Sequence, residues 1–125
     1  MEKCLALNAL SALANGIRLD ILRLLVAEGP AGMPAGRIAR RVGVSASGLS
    51  FHLTVMEQAG LIASCREGRY LRYRVNHARL GALMSYLLND CCMGHPEICA
   101  RSGAEAARPV AAHSAAGSPS GTTKT

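Results

Sequence analysis

The chain has 125 residues, five cysteines, no tryptophan and a formal net charge of +6. Its length suits one domain with a modest core, and no apolar run approaches the ~18 residues of a membrane span, so we expect no membrane partner. The first residues have too short an apolar stretch for a secretory leader. We therefore expect a cytoplasmic protein whose cysteines are free thiols or ligands.

The positive charge is concentrated in the central third of the sequence. Residues 37–79 carry eight arginines and two glutamates, whereas the segments on either side each hold three basic and three acidic residues. A solvated charged face normally mixes both signs. The excess of one sign therefore predicts a surface that binds a polyanion.

Apolar residues at helical spacing predict two helices at the start of the chain. The first covers residues 5–14 and is almost entirely apolar. Asn15 is a suitable N-cap for the second, in which apolar residues recur every three or four positions until Gly29 and Pro30 stop it.

Residues 34–59 have the outline of a helix-turn-helix. Pro34 suits the first turn of a helix that ends at Gly43, and Ser45 caps a longer helix that reaches Ala59. Two helices joined by so tight a turn form the unit that places its second helix in the major groove of DNA.

A β-hairpin is predicted next, over LIASCREGRYLRYRV (61–75). Two short β-prone runs flank the turn Glu67-Gly68, and in the second run apolar residues alternate with Arg72 and Arg74. This period is typical of a half-buried strand and predicts an arginine-rich face.

The last predicted helix carries a long apolar stripe. Asn76 caps it, and the stripe leads to Cys91 through Leu80, Leu83, Met84, Leu87 and Leu88. So apolar a stripe does not suit a lone surface helix on a small domain. We therefore expect a homodimer that pairs through this helix and residues 5–14.

The expected DNA surface combines one side of the second helix of the helix-turn-helix with nearby arginines. With the apolar residues at 49, 53 and 56 toward the core, about 100° per residue places small polar side chains and one ring on the opposite side. They are Ser47, Ser50, Phe51 and Thr54. His52 lies at the edge of that side, where a phosphate contact and a helix-packing role are equally compatible with the sequence. Phosphate contacts that position the protein are expected from Arg40, Arg41, Arg66, Arg69 and Arg72.

The order of elements, mainly α with a β-hairpin wing, resembles the ArsR/SmtB family of winged-helix repressors. The resemblance is carried by NGIRLDILRLL (15–25), RIARRVGVSASGLSFHLTVMEQAGLI (37–62) and GRYLRYRV (68–75), and extends over residues 3–92. It implies a winged helix-turn-helix homodimer that represses transcription at an operator in double-stranded DNA and leaves it when an inducer binds. It also places Ser47, Ser50 and His52 at positions that the family uses for DNA.

Neither inducer site familiar in that family is present. Arsenite-sensing members often carry a Cys-x-Cys pair before the recognition helix, where this chain has PAGRIARRVG. Zinc-sensing members use Asp and His pairs on the last helix, where this chain has only His77 and Asp90.

Three cysteines in CCMGHPEIC (91–99) are therefore the predicted inducer site. A glycine and a proline end the helix after Cys92 and allow the chain to fold back, so that Cys99 approaches Cys91 and Cys92. Three thiolates without a fixed fourth ligand suit trivalent arsenic, As(III), or antimony, Sb(III). Soft thiolates also suit Cu(I), and His95 would complete a Cys3His zinc set. No organic cofactor is expected.

Three alternatives assign the cysteines differently. Oxidation that joins Cys91 or Cys92 to Cys99 would give a redox or persulfide sensor. A thiol reductase would use Cys91 or Cys92 as its nucleophile, although no basic residue flanks them to lower a thiol pKa. In a constitutive architectural DNA binder the cysteines would have no role. Cys65 is expected to be a small apolar filler in a strand, and Cys4 to be dispensable.

The sequence also predicts how these functions are divided along the chain. Residues 1–92 are expected to form the DNA-binding and dimerisation domain, and residues 91–99 the inducer-binding segment. Residues 100–125 consist mostly of Ala, Ser, Gly, Pro and Thr, with almost no large apolar residue, which predicts a disordered tail.

Overall fold

The computed structural model describes residues 1–103, and the chain divides into two units, Met1–Leu83 and Met84–Thr125. Within the described residues, no helix is both long enough and apolar enough to cross a bilayer. The elements, in chain order, are α1 (Lys3–Leu13), α2 (Gly16–Glu28), a 3-10 turn (Gly29–Ala31), β1 (Met33–Pro34), α3 (Ala35–Val42), α4 (Ala46–Gln58), β2 (Ile62–Glu67), β3 (Tyr70–Val75), α5 (His77–Ser85), a π-helical turn (Tyr86–Cys91) and α6 (Pro96–Ser102).

Polar caps start three of the helices where the sequence predicts them. The side-chain oxygens of Asn15, Ser45 and Asn76 each accept a hydrogen bond, 3.1 Å long, from the backbone N–H three residues later. Each bond satisfies a donor that the first turn of a helix leaves free, which stabilises a helix by about 1 kcal/mol. The predicted starts of α2, α4 and α5 are therefore confirmed.

The core of the first unit is aliphatic. Its largest fully buried side chains come from helices and strands alike and are Ile21, Leu25, Met33, Ile38, Met56, Leu61 and Leu83. Leu83 was predicted to lie in an apolar stripe that pairs with a second copy. The structure corrects this, because Leu83 is 0% exposed in the single chain and its side chain belongs to the core. Met84, the next residue, is exposed.

Helix α1 buries small side chains and exposes large ones. Ala6, Ala9 and Ala12 face inward, where they let α1 lie close to α2 and α4, whereas Leu7 and Leu10 face solvent. A leucine face on the outside of a short helix is typical of a surface that another chain covers. It fits the predicted dimer contact through residues 5–14.

A short strand that the sequence did not predict joins the hairpin. Met33 pairs with Tyr73 and Pro34 with Arg72, both antiparallel, so that the strands are ordered β1-β3-β2. A strand of two residues has no period to detect, and Pro34 was assigned to the helix that begins just after it.

The predicted hairpin is confirmed as β2 and β3, but its arginines are divided between the two faces. Cys65 pairs with Arg72, and Arg66 pairs with Leu71. Directly paired residues point to the same face of a sheet, so Arg66 and Arg72 lie on opposite faces. Cys65 is exposed, so the prediction that it fills an apolar site is wrong.

The second unit begins in the last turn of α5 and bends sharply after Cys92. The backbone is α-helical to Ser85 and π-helical over residues 86–91, where the sequence predicted a regular α-helix. Met93 and Gly94 then have positive φ values of 55° and 62°, which end the helix. The predicted helix end after Cys92 is thus confirmed, whereas the π-helical turn was not foreseen.

Helix α6 was not predicted. The side chain of His95 caps it by accepting a hydrogen bond from the backbone N–H of Glu97. Its last three residues, 100–102, are helical although they were assigned to the disordered tail. The rest of that predicted tail, residues 104–125, lies outside the described residues.

Gly32 should be essential to the packing of β1 against β3. Gly29 and Gly32 both have positive φ with ψ near 180°, a region that costs other residues about 1–3 kcal/mol. A Cβ on Gly32 would also lie 2.6 Å from the backbone oxygen of Tyr73, whereas one on Gly29 would meet nothing within 4 Å. In urea denaturation, Gly32→Ala should therefore lose about 1–3 kcal/mol more of the free energy of unfolding than Gly29→Ala. Equal losses of unfolding free energy in the two variants would show that Gly32 does not need to lie so close to the backbone of Tyr73.

Candidate nucleic-acid interface and thiol cluster

The turn between α3 and α4 is set by a left-handed glycine. Gly43 has a φ of 74°, and the N–H groups of Gly43 and Val44 both donate to the carbonyl oxygen of Ala39, at 2.9 and 3.1 Å. This arrangement caps the end of α3, and Ser45 then starts α4 at once. The two helices are joined by three residues, as a helix-turn-helix requires.

Helix α4 presents an uncharged face to solvent. Ser47, Ser50, Phe51 and Thr54 are all exposed, whereas the apolar residues at 49, 53 and 56 are buried, so the predicted division of the helix is confirmed. Hydroxyl groups can donate to or accept from the edges of bases, and small side chains permit close approach. Contact of these four residues with DNA stays a prediction.

His52 lies beside this face and is held by a residue that sequence reasoning missed. Nη1 of Arg18 lies 3.2 Å from Nδ1 of His52, and Nε of Arg18 donates to the carbonyl oxygen of Ala12 at 2.6 Å. A guanidinium can only donate, so Nδ1 accepts and the ring hydrogen is on Nε2. His52 therefore has the helix-packing role, and its Nε2–H remains available to a phosphate. Arg18 is 34 residues away in sequence, and no local pattern connects the two.

Four of the arginines predicted to contact phosphates are exposed. Arg40 and Arg41 occupy the last turn of α3, Arg66 lies on β2, and Arg69 lies in the turn of the hairpin, which we call the wing. Exposed guanidinium groups suit contacts with the DNA backbone, which fix orientation without selecting a sequence. These contacts are not tested by the structure and stay predictions.

The fifth arginine, Arg72, is engaged inside the protein. Its Nε donates to Oε1 of Glu67 at 3.0 Å, and its Nη1 donates to the carbonyl oxygen of Gly32 at 3.2 Å. The first bond joins the two strands of the wing, and the second holds the wing to the segment that precedes α3. Arg72 thus stabilises the shape of the wing, and a phosphate contact would have to use its remaining guanidinium N–H groups.

A polar cluster connects the end of α4 to the base of the wing. Oγ of Ser64 on β2 donates to Oε2 of Glu57 on α4 at 2.7 Å. Burial raises the pKa of the Tyr73 hydroxyl, and the negative charge of Glu57 raises it further. Tyr73 therefore stays neutral at physiological pH.

The three cysteines of the predicted inducer site all lie in the second unit. Cys91 is exposed, and Cys92 and Cys99 are half-buried. Burial raises the pKa of the Cys92 thiol, and its hydrogen bond to Cys91 and the nearby thiols of Cys91 and Cys99 raise it further. Cys92 thus interacts with each of the other two thiols, but among residues 1–103 no group of three or more His, Cys, Asp or Glu side chains is arranged to hold a metal ion.

The other two candidate ligands have different positions. Cys4 is exposed on α1, in the first unit. His95 lies in the same unit as the three thiols, but its Nδ1 accepts the hydrogen bond that caps α6. His95 could offer only its Nε2 without unravelling the start of that helix.

A family model described as a helix-turn-helix domain matches residues 13–65. The HTH-type transcriptional regulator YgaV of Escherichia coli (strain K12) is 36% identical over 83 residues, which cover 66% of this chain and 82% of that protein. The transcriptional repressor SdpR of Bacillus subtilis (strain 168) is 32% identical over 82 residues, which cover 66% of this chain and 88% of that protein.

Solved structures show the same architecture. An ArsR-like transcriptional regulator from Rhodococcus sp. RHA1 superposes with a TM-score of 0.64 at 27% identity, over 81% of this chain and 92% of that one. A homodimeric winged helix-turn-helix DNA-binding domain from Mycobacterium bovis, described as a possible ArsR-family regulator, gives a TM-score of 0.55 at 33% identity, over 73% and 84%.

The fold and the exposed face of α4 define a winged helix-turn-helix DNA-binding protein. The chain belongs to the ArsR-like family of transcriptional regulators, as its resemblance to that family implied. The family is one of regulators and not of enzymes, so the thiol reductase alternative is set aside.

Operator binding should depend steeply on salt. Each phosphate contact contributes about −0.9 to the slope of log affinity against log salt concentration. Arg69→Ala removes an exposed wing charge and should make the slope shallower by about 0.9 for each protomer that binds, with little change in sequence preference. Fluorescence anisotropy on operator DNA measures both.

The matched control for Arg69→Ala is Arg101→Ala. It removes the same charge from α6, where Arg101 pairs with Glu97, and should leave the slope unchanged. Binding by the intact protein that does not respond to salt would contradict the proposed DNA surface.

Two substitutions of His52 separate its packing role from its outward-facing nitrogen. In His52→Asn the amide oxygen lies near the position of Nδ1 and can still accept from Arg18, whereas His52→Gln places its amide near Nε2 and loses that acceptor. We expect His52→Gln to lower the free energy of unfolding by about 1 kcal/mol and His52→Asn to lower it by less. Urea denaturation compares them, and equal stabilities would mean that the contact with Arg18 contributes nothing.

Proposed function

We propose that the protein is a homodimeric transcriptional repressor of the cytoplasm that leaves its operator when As(III) or Sb(III) binds Cys91, Cys92 and Cys99. The observation that carries this proposal is the presence of three cysteines within nine residues, of which Cys91 and Cys99 both raise the pKa of the Cys92 thiol. A thiol cluster is the one feature of the described chain that suits a soft inducer. The proposal extends beyond the family membership, which establishes a DNA-binding regulator.

Dimeric binding is supported by two independent features. The structural relative from Mycobacterium bovis is homodimeric, and α1 of this chain exposes Leu7 and Leu10 on its outer side. A dimer presents two α4 helices to half-sites about 34 Å apart along one side of the duplex. It would therefore bind an operator with two-fold symmetry.

The chemistry of arsenite suits neutral thiols. Arsenious acid condenses with three thiols, forming three As–S bonds and releasing three water molecules, so no net proton is lost. Zn²⁺ must instead displace protons from its cysteine ligands. The raised pKa of Cys92 disfavours this displacement and leaves the condensation unaffected.

Inducer binding would have to reorganise the segment that carries the thiols. Cys91 and Cys92 end the π-helical turn, and Cys99 lies within α6, after the sharp turn at Met93 and Gly94. Because no three-ligand group is already formed, closing one around arsenic would move α6 toward the π-helical turn. A shift from mostly bound to mostly free repressor needs a differential affinity of about 3–5 kcal/mol.

Oxidation of the same thiols is the second candidate function. Cys92 and Cys99 are both half-buried in the second unit, and a disulfide between them would close a short loop. This would make the protein a redox or persulfide sensor with the same DNA-binding unit. Arsenite and peroxide are therefore tested side by side.

Each of the changes Cys91→Ser, Cys92→Ser and Cys99→Ser should abolish release from DNA by arsenite and leave operator affinity without inducer unchanged. A serine oxygen does not replace a soft thiolate, and each loss leaves only two sulfur ligands. Anisotropy on operator DNA with arsenite added under reductant reports release. Intact mass should give one arsenic per chain.

The matched controls are Cys4→Ser and Cys65→Ser, which alter exposed cysteines outside the cluster and should respond as the parent does. If the three cluster variants still release DNA on adding arsenite, these cysteines are not the sensor. If peroxide releases DNA and arsenite does not, the redox alternative replaces the arsenic proposal.

A further inference from the structure

Phe51 is an apolar ring in the centre of an otherwise polar face. Its side chain is 62% exposed, and its neighbours on that face of α4 are Ser47, Ser50 and Thr54. It is the one phenylalanine of the sequence, and the core does not use it. On a helix face that the fold leaves open to DNA, an exposed ring is placed to contact the bases.

The ring is held in place by a series of contacts that begins outside α4. The rings of Phe51 and His52 pack edge to face, with their centroids 5.5 Å apart and their planes at 66°. His52 is bonded to Arg18, which is bonded in turn to the carbonyl oxygen of Ala12. A ring restrained before binding loses less rotamer entropy when DNA arrives, which favours a specific contact.

The chemistry of the major groove restricts what such a ring can recognise. Each base pair presents hydrogen-bond donors and acceptors there, and thymine alone among the four bases adds an apolar group, its C5 methyl. A phenyl ring has no hydrogen-bonding group, so it gains from the methyl and leaves any polar edge it covers unsatisfied. Serine and threonine hydroxyls accommodate either kind of polar edge and discriminate less.

We propose that Phe51 selects a thymine in each operator half-site by packing its ring against the C5 methyl group. Arg18 and His52 act as positioning residues for this contact. The inference rests on the proposed function as a DNA-binding repressor. It adds to that function the base that α4 selects and the residue responsible.

The test compares thymine with uracil, which lacks only the methyl group. An operator is first selected with the full chain from random double-stranded DNA, and each thymine is then replaced by uracil, in both half-sites together. Burial of one methyl group corresponds to about fourfold in affinity. At the thymine that Phe51 contacts, replacement in both half-sites should therefore lower affinity by about 15-fold. Phe51→Ala should bind the thymine and uracil operators equally.

Two further variants identify the source of the discrimination. Phe51→Leu keeps an apolar side chain and should retain part of the preference for thymine. Tyr70→Ala removes an aromatic ring of similar exposure from the wing and should retain all of it. Since Phe51 is exposed, the alanine variant should fold normally, as its unfolding curve would verify.

The outcomes distinguish this inference from the function on which it rests. If selection yields no preferred sequence, the proposed repressor function fails, and the inference fails with it. If a preferred operator is found but the parent binds every uracil version as tightly, only the inference is overturned. A preference for thymine that persists in Phe51→Ala would overturn it as well.

Discussion

Burial of one side of α4 determines which of its side chains are exposed to a binding partner. Leu49, Leu53 and Met56 are fixed in a core shared with α2, α3 and β2, which sets the rotation of α4 about its axis. The opposite side is then exposed whatever its chemistry, and here it holds hydroxyl groups and one ring. The caps at Gly43 and Ser45 fix the residue at which α4 begins. The position of α4 therefore follows from a few local hydrogen bonds and a small apolar contact.

The arginines show how one residue type serves two purposes in a small domain. Arg18, Arg72 and Arg79 donate to carbonyl oxygens of other segments, and the bond from Arg79 to Ala59 closes the end of α4. Guanidinium groups suit this task because they carry several donors in a rigid plane. Net charge in the sequence therefore overstates the charge available to DNA, since part of it stabilises the contacts between helices and wing.

The sequence predicted most helices, the hairpin and the exposed side of α4, because these depend on periodicity and on capping residues that act locally. It missed β1, which is too short to have a period, and α6, whose residues were judged by composition. Burial of Leu83 and exposure of Cys65 depend on packing between segments that are distant in sequence. The local pattern of apolar residues in a helix or a strand does not specify such packing. The contact of Arg18 with His52 was missed for the same reason, whereas the thiol cluster was evident because its members are adjacent in sequence.

The separation of charge from the exposed side of α4 has a consequence for how the protein finds its site. Exposed arginines such as Arg40 and Arg69 flank a helix face that is itself uncharged. Attraction to phosphates is the same along any duplex, so the backbone contacts predicted for these arginines would let the protein slide over unrelated DNA. The neutral face adds little to this attraction, because hydroxyl groups and a phenyl ring carry no charge that draws them to phosphates. Sliding along DNA and recognition of the operator would thus depend on different residues, and either property could change in evolution without altering the other.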